Sequence, residues 1–372
     1  MELLPVVNRL RLELFTMNNR VYIASIKSIF PRGYHPDIAV DALYPANEAG
    51  EKLNLYVKRV AKSLGFEKRY SVLDADFLPK KKLSRKEYHP LHWGKQILGK
   101  LSEKIDPKKI GFVSVSYNIS SHTDVLPNLA CQLSWDANLE LDAIPEEISY
   151  YGCAGGLFSL KSAVEYCQRS QRAAYVYTFD QCSWLANPIF DKTHQDFKAN
   201  LITSLLFSDA GVGLLVIPEN MKGEFDQPLL EIIDYATHFQ LGTAVSMREG
   251  YLVLDDNIKS TLPNIVSTRL VQPILKKQNL TIDQIQEWSL HQGGLPILQS
   301  FADKRNLNVD ADKIERSKQM FNKYGNLSAP SAFVVLESFL KKGENKDSYG
   351  IIASFGAGYY LGAFLYQWQP QN

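Results

Sequence analysis

Short runs of β-branched and aromatic residues alternate along this chain with stretches in which apolar positions recur every three or four residues. The runs cover residues 21–29, 110–115, 147–151, 173–179, 212–217, 229–235, 286–290, 350–354 and 362–367, and each predicts a strand. Strands that alternate with amphipathic helices predict an α/β fold whose sheets are covered by helices. The polar stretch from Pro218 to Gly223 is a turn-forming break between two such series. It divides the chain into residues 1–219 and 220–372. No sequence repeat between the two parts is strong enough to prove a duplication.

Two of the predicted strands run into unusual chemistry. The first reaches Gly152-Cys153-Ala154-Gly155-Gly156, after which Leu157, Leu160, Val164 and Cys167 fall at helical spacing. A thiol therefore stands where a strand turns sharply into a helix. The small residues behind it let a substrate approach the backbone amides of the first turn. Those free N–H groups, with the helix dipole, lower a thiol's pKa and can hold an oxyanion. The same window also fits a buried structural cysteine, since free Cys is among the most buried residue types. The second strand ends at His291-Gln292-Gly293-Gly294, followed by Leu295, Ile297, Leu298 and Phe301 at helical spacing. Asn326 stands in a polar, glycine-containing turn ahead of a helix predicted over residues 331–341. Taken singly, His291 also reads as a histidine satisfied near the core and Asn326 as an ordinary turn residue. Together, a lone Cys, His and Asn form a candidate nucleophile with its activating pair.

Five windows stand in a telling order: Gly152 to Gly156, Leu206-Phe207-Ser208-Asp209-Ala210-Gly211, His291 to Gly294, Tyr324-Gly325-Asn326-Leu327-Ser328, and Ser354-Phe355-Gly356-Ala357-Gly358. They resemble the motifs of the thiolase-fold condensing enzymes, in the β-ketoacyl synthase III and type III polyketide synthase branches. The His291 window looks more like the polyketide synthases, and Gly358 to Ala363 more like synthase III. The resemblance implies a thiolase fold, a five-layer αβαβα sandwich made of two similar halves with the active site between them. It implies that Cys153 is the nucleophile, that His291 and Asn326 serve an enolate, and that the Cys153 and Ala357 amides form an oxyanion hole. Ala357 keeps the N–H that proline, common at this place in the polyketide synthases, lacks. Phe207 takes the position of the polyketide synthases' gatekeeper on the acyl tunnel, or is a core aromatic. Leu126 takes the position of a residue that reaches across a homodimer into the partner's pocket. Having no carboxylate, it disfavours condensation without decarboxylation. Ser208 and Ala210 replace two glycines of the family pattern, and residues 1 to about 100 match poorly.

The implied reaction joins a Cys-bound acyl group to a malonyl-type thioester by a carbon–carbon bond, as in a 3-oxoacyl-ACP synthase III-like ketosynthase of fatty acid, polyketide or secondary metabolite biosynthesis. Coenzyme A or the phosphopantetheine of an acyl carrier protein enters as part of the substrate, so no bound cofactor or metal is expected. Two alternatives remain. One is an acyltransferase of the same fold that moves the acyl group to an alcohol or amine. The other is a non-catalytic subunit of a heterodimer.

Composition narrows the setting. With 372 residues, of which 45% are hydrophobic, the chain can bury a large core. Lys and Arg number 41 against 40 Asp and Glu, for a net charge of +1, so no basic field points to nucleic acid. Cysteines at 131, 153, 167 and 182 form no Cys-x-x-Cys pair, which predicts neither a zinc site nor a disulfide framework and suits a reduced cytoplasm. Met1 to Phe15 lacks the unbroken apolar core of a signal peptide and reads as an extension, and no run reaches membrane-spanning length. Lys80, Lys81, Lys82, Arg85, Lys86, Lys95 and Lys100, with Lys58, Arg59, Lys68 and Arg69 before them, are either a solvated face or a docking surface for an acyl carrier protein or coenzyme A phosphates.

Overall fold

Every predicted run is a strand in the computed structural model, which describes residues 20–74, 83–243, 245–248, 251–254, 258–342 and 347–369. Met1 to Phe15, and Lys80 to Lys82 of the basic run, lie outside them. The strands are β1 (Val21–Ile29), β2 (Ile110–Tyr117), β3 (Glu146–Ser149), β4 (Ala173–Asp180), β5 (Ala210–Pro218), β6 (Leu229–Phe239), β7 (Ile285–Leu290), β8 (Tyr349–Phe355) and β9 (Tyr360–Gln369). β3 stops two residues short of the expected end because Tyr150 adopts φ 67°, which breaks extended pairing. β4 and β5 are buried at every position, which is why they read as unbroken apolar runs.

The nine strands form one sheet in the order β7-β8-β9-β6-β1-β5-β4-β2-β3, and its pairings repeat. From β1 outward, β1 and β5 are antiparallel, β5 and β4 antiparallel, and β4 and β2 parallel. From β6 outward, β6 and β9 are antiparallel, β9 and β8 antiparallel, and β8 and β7 parallel. The two series meet in a short antiparallel pairing of Tyr22 with Glu231 and Ile23 with Leu230. The duplication that the sequence hides is therefore visible in the topology, with β6 opening the second copy just after the turn Glu219–Glu224.

Helices occupy both outer faces and the middle: α1 (Pro90–Leu101), α2 (Leu129–Asp136), α3 (Gly155–Cys167), α4 (Phe197–Leu206), α5 (Ile258–Val266), α6 (Glu315–Tyr324) and α7 (Ser331–Lys342). One outer core packs Trp93 and Ile97 of α1 with Leu133 of α2 against Tyr175 and Tyr177 of β4. The other packs Leu262 of α5 and Phe321 of α6 against Trp288 of β7. Between the half-sheets, Leu157, Leu160 and Val164 of α3 meet Ala332, Phe333 and Leu336 of α7. The order helix, sheet, helix pair, sheet, helix gives the five layers. Gly156 allows the central pair to close, since a Cβ there would lie 2.8 Å from Phe333 Cε2.

Candidate active site

Cys153 stands in the single turn Gly152–Ala154 that leads from β3 into α3. Gly152 has φ 56°, a left-handed conformation that glycine adopts without steric cost. A Cβ on it would lie 2.3 Å from Ala357 N, and a Cβ on Gly356 would lie 2.4 Å from Cys153 N. Two glycine-bearing turns from opposite halves are thus pressed together, and this sets the Cys153 and Ala357 amides side by side. Ser354 donates to Cys153 O at 2.6 Å, and Asn118 Nδ2 donates to Gly152 O at 3.0 Å. These bonds hold the turn from both flanks.

Cys153 is half-buried and its Sγ lies 3.5 Å from Ser328 Oγ. Burial pushes the thiol up to about 12, opposed by the Ser328 hydroxyl and the residue's own N–H and reinforced by the charge of Asp180. This corrects the expectation of a lowered thiol pKa. The loss of water around the sulfur outweighs the polar groups that favour the thiolate. At rest the Cys153 thiol is therefore protonated.

His291 and Asn326 both come from the second half, and neither lines the cavity that opens at Cys153. His291 follows β7, its N–H donates to Ala353 O at 2.9 Å, and its ring stacks edge-on against Phe355, 5.0 Å between centroids. Its Nδ1 is buried without a partner, and burial alone pushes the imidazole down to about 3, so it is neutral. No hydrogen bond joins it to the thiol among the described residues. Asn326 pairs with Phe207 in an isolated parallel bridge. Its Oδ1 accepts from Ser328 N at 2.8 Å, which leaves its N–H₂ as the donor end.

A cavity of about 290 Å³ opens at Cys153 and is lined further by Ser328, Ala357, Phe207, Met247 and Arg69. Phe207, 8% exposed, thus lies on its wall. Leu126 lies elsewhere. It precedes Pro127 and is 87% exposed on this chain's surface, beside exposed Val125. The sequence reading singled out neither Ser328 nor Asp180. Asp180 ends β4 fully buried and accepts from Asn118 N, Ile119 N, Asn118 Nδ2 and Ala329 N. It ties the loop after β2 to the turn before α7, and burial raises its pKa despite those donors. Its only sequence signal is a charged residue at the end of an apolar strand. Arg69, counted above with the basic run, is 4% exposed, because its strand Arg69–Ser71 is tucked beneath Phe207, whose O accepts from Arg69 Nε at 2.9 Å.

With this geometry in place, known proteins can be compared. The family "3-Oxoacyl-[acyl-carrier-protein (ACP)] synthase III C terminal" matches residues 275–368, which hold His291, Asn326 and Ala357. The chain has the thiolase fold of the condensing enzymes. A crystal structure of PKS-I from the brown alga Ectocarpus siliculosus superposes with a TM-score of 0.75 at 17% identity, covering 94% of this chain and 98% of that one. A putative chalcone synthase of Bacillus subtilis is 27% identical over 59% of this chain and 60% of its own length. A beta-ketoacyl-[acyl-carrier-protein] synthase III of Blochmanniella floridana is 27% identical over 70% of this chain and 78% of its own. The chain therefore spans about three fifths of the length of the Bacillus relative. In the condensing-enzyme fold, residues from both halves meet at one cavity, as they do here. No described helix is long and apolar enough to cross a membrane.

Proposed function

We propose that this protein is a condensing enzyme that loads an acyl group on Cys153 and extends it with a malonyl-type thioester. The observation that carries the reading is the paired turn in which the Cys153 and Ala357 amides lie side by side at the mouth of an apolar cavity. Cys153 attacks the donor thioester and the two amides hold the oxyanion. The C–S bond to Cys153 forms as the bond to the leaving thiol breaks, and the cysteine proton passes through neutral His291 to that thiol. A resting thiol of high pKa and a neutral imidazole favour transfer of the proton during attack over a standing ion pair. The extender then loses carbon dioxide, and the Asn326 N–H₂ with the His291 ring donates to the enolate oxygen. Each such donor is typically worth ~2.7–4 kcal/mol to the transition state. The enolate carbon attacks the acyl-cysteine carbonyl, the bond from that carbonyl to sulfur breaks, and Cys153 leaves as a thiolate that regains a proton from water as the β-ketoacyl thioester departs. Asn326 favours condensation over transfer to an alcohol or amine, because simple acyl transfer has no enolate to stabilise.

Coenzyme A or an acyl carrier protein brings both thioesters, and Leu126 of a second copy closes each pocket in a homodimer. Intact-protein mass spectrometry with acyl-coenzyme A and then malonyl-coenzyme A tests the reading. The expected result is a single acyl adduct on the Cys153 peptide, discharged as a β-keto product. An adduct on Cys131, Cys167 or Cys182 instead sinks it.

A further inference from the structure

Arg69 lines the cavity and takes no part in this chemistry. Apart from Nε, its guanidinium donates to no group among the described residues. The nearby carboxylate of Asp209, whose charge it feels, is taken by Val72 N at 2.8 Å, Ser183 N at 2.7 Å and the Ser183 hydroxyl. Buried guanidinium donors are costly to leave unmet. Much of the remaining wall, including Leu185, Ala186, Val245, Met247 and Leu252, is apolar. A cavity that starts at a nucleophile and also exposes unmet cationic donors along an apolar wall has the form of a receptor for a chain with an anionic tail.

Resting on the condensing reading, we propose that the acyl group loaded on Cys153 is an ω-carboxyacyl group whose terminal carboxylate sits on the Arg69 guanidinium. The planar fork matches a carboxylate through two parallel N–H···O bonds, and the apolar wall takes the methylenes. A volume of about 290 Å³ has room for about ten water-sized atoms, which suits a short dicarboxylic chain.

The test compares Cys153 acylation by glutaryl-coenzyme A with that by pentanoyl-coenzyme A, equal in chain length, using intact-protein mass spectrometry against time. The wild-type protein should prefer glutaryl by about 10- to 100-fold, the factor that a hydrogen bond to a charged group supplies. In Arg69→Met the ratio should collapse toward one, and Arg69→Lys should keep part of it. A wild-type preference for pentanoyl, or an unchanged ratio in Arg69→Met, overturns the proposal while leaving the condensing reading intact. The wild-type ratio decides alone if Arg69→Met does not fold. Acylation by no thioester at all overturns both readings.

Discussion

Asn326 and His291 divide the work in a way their surroundings make testable. Because the proposed mechanism has Asn326 donate to the enolate through its N–H₂ while its Oδ1 is held by Ser328 N, Asn326→Ala should still acylate Cys153 yet lose condensation by about 10²- to 10³-fold. Single-turnover acylation and β-keto product formation, measured separately, check this. Condensation at the wild-type rate would turn the reading toward simple acyl transfer. His291 carries a stability signature as well. Its folded pKa is depressed to about 3 by burial, below the ordinary value of about 6.5. The unfolded chain therefore binds the proton first, so stability is full above about 6.5 and falls as pH drops toward 3. The expected slope is about 1.4 kcal/mol per pH unit. Urea unfolding of the wild type and His291→Phe at neutral and mildly acid pH should show that slope in the wild type and a flatter one in the variant.

The paired turns before α3 and after β8 set the next scale. A Cβ at Gly356 would strike the Cys153 backbone, which has no flexible end to move. Gly356→Ala should therefore slow acylation about 10²-fold or more and destabilise by about 1–3 kcal/mol. Gly99, with nothing within 4 Å of an added Cβ, provides a helix-surface control. Thermal unfolding and acylation rates decide, and a Gly356→Ala protein that acylates normally would remove Ala357 from the oxyanion site. The nine strands were legible because buried strands such as β4 and β5 are almost wholly apolar, and the turns that carry Cys153, His291 and Asn326 because glycines mark them. Ser328 and Asp180 were not, because a hydroxyl in a turn and an acid at a strand end gain meaning only from what folds against them. Arg69 was misread because charge says nothing of burial. The two similar halves followed from the family resemblance and not from a repeat, because pairing directions repeat while residues do not.

At the scale of the whole molecule, the apolar surface around Leu126 asks for cover. Leu126, Trp135 and Ile144 are 87%, 86% and 88% exposed, large apolar side chains that a partner surface would cover. Sedimentation velocity should show a dimer, and Leu126→Ala should admit bulkier acyl groups without loss of acylation. A monomer, or an unchanged acyl preference, would leave Leu126 as ordinary surface. The repeated pairings carry a last consequence, one of descent. α3 is the helix before β4 and α7 is the helix before β8, so the two occupy equivalent places in the two copies. The residues that touch across their leading turns, 3.5 Å apart, are Cys153 and Ser328. In an ancestor assembled from two identical half-length chains, two identical helix starts would have met at that place, and fusion would have released each side to change alone. One half could then set a thiol at that junction while the other set a hydroxyl against it, so asymmetric chemistry could arise at a place of former symmetry.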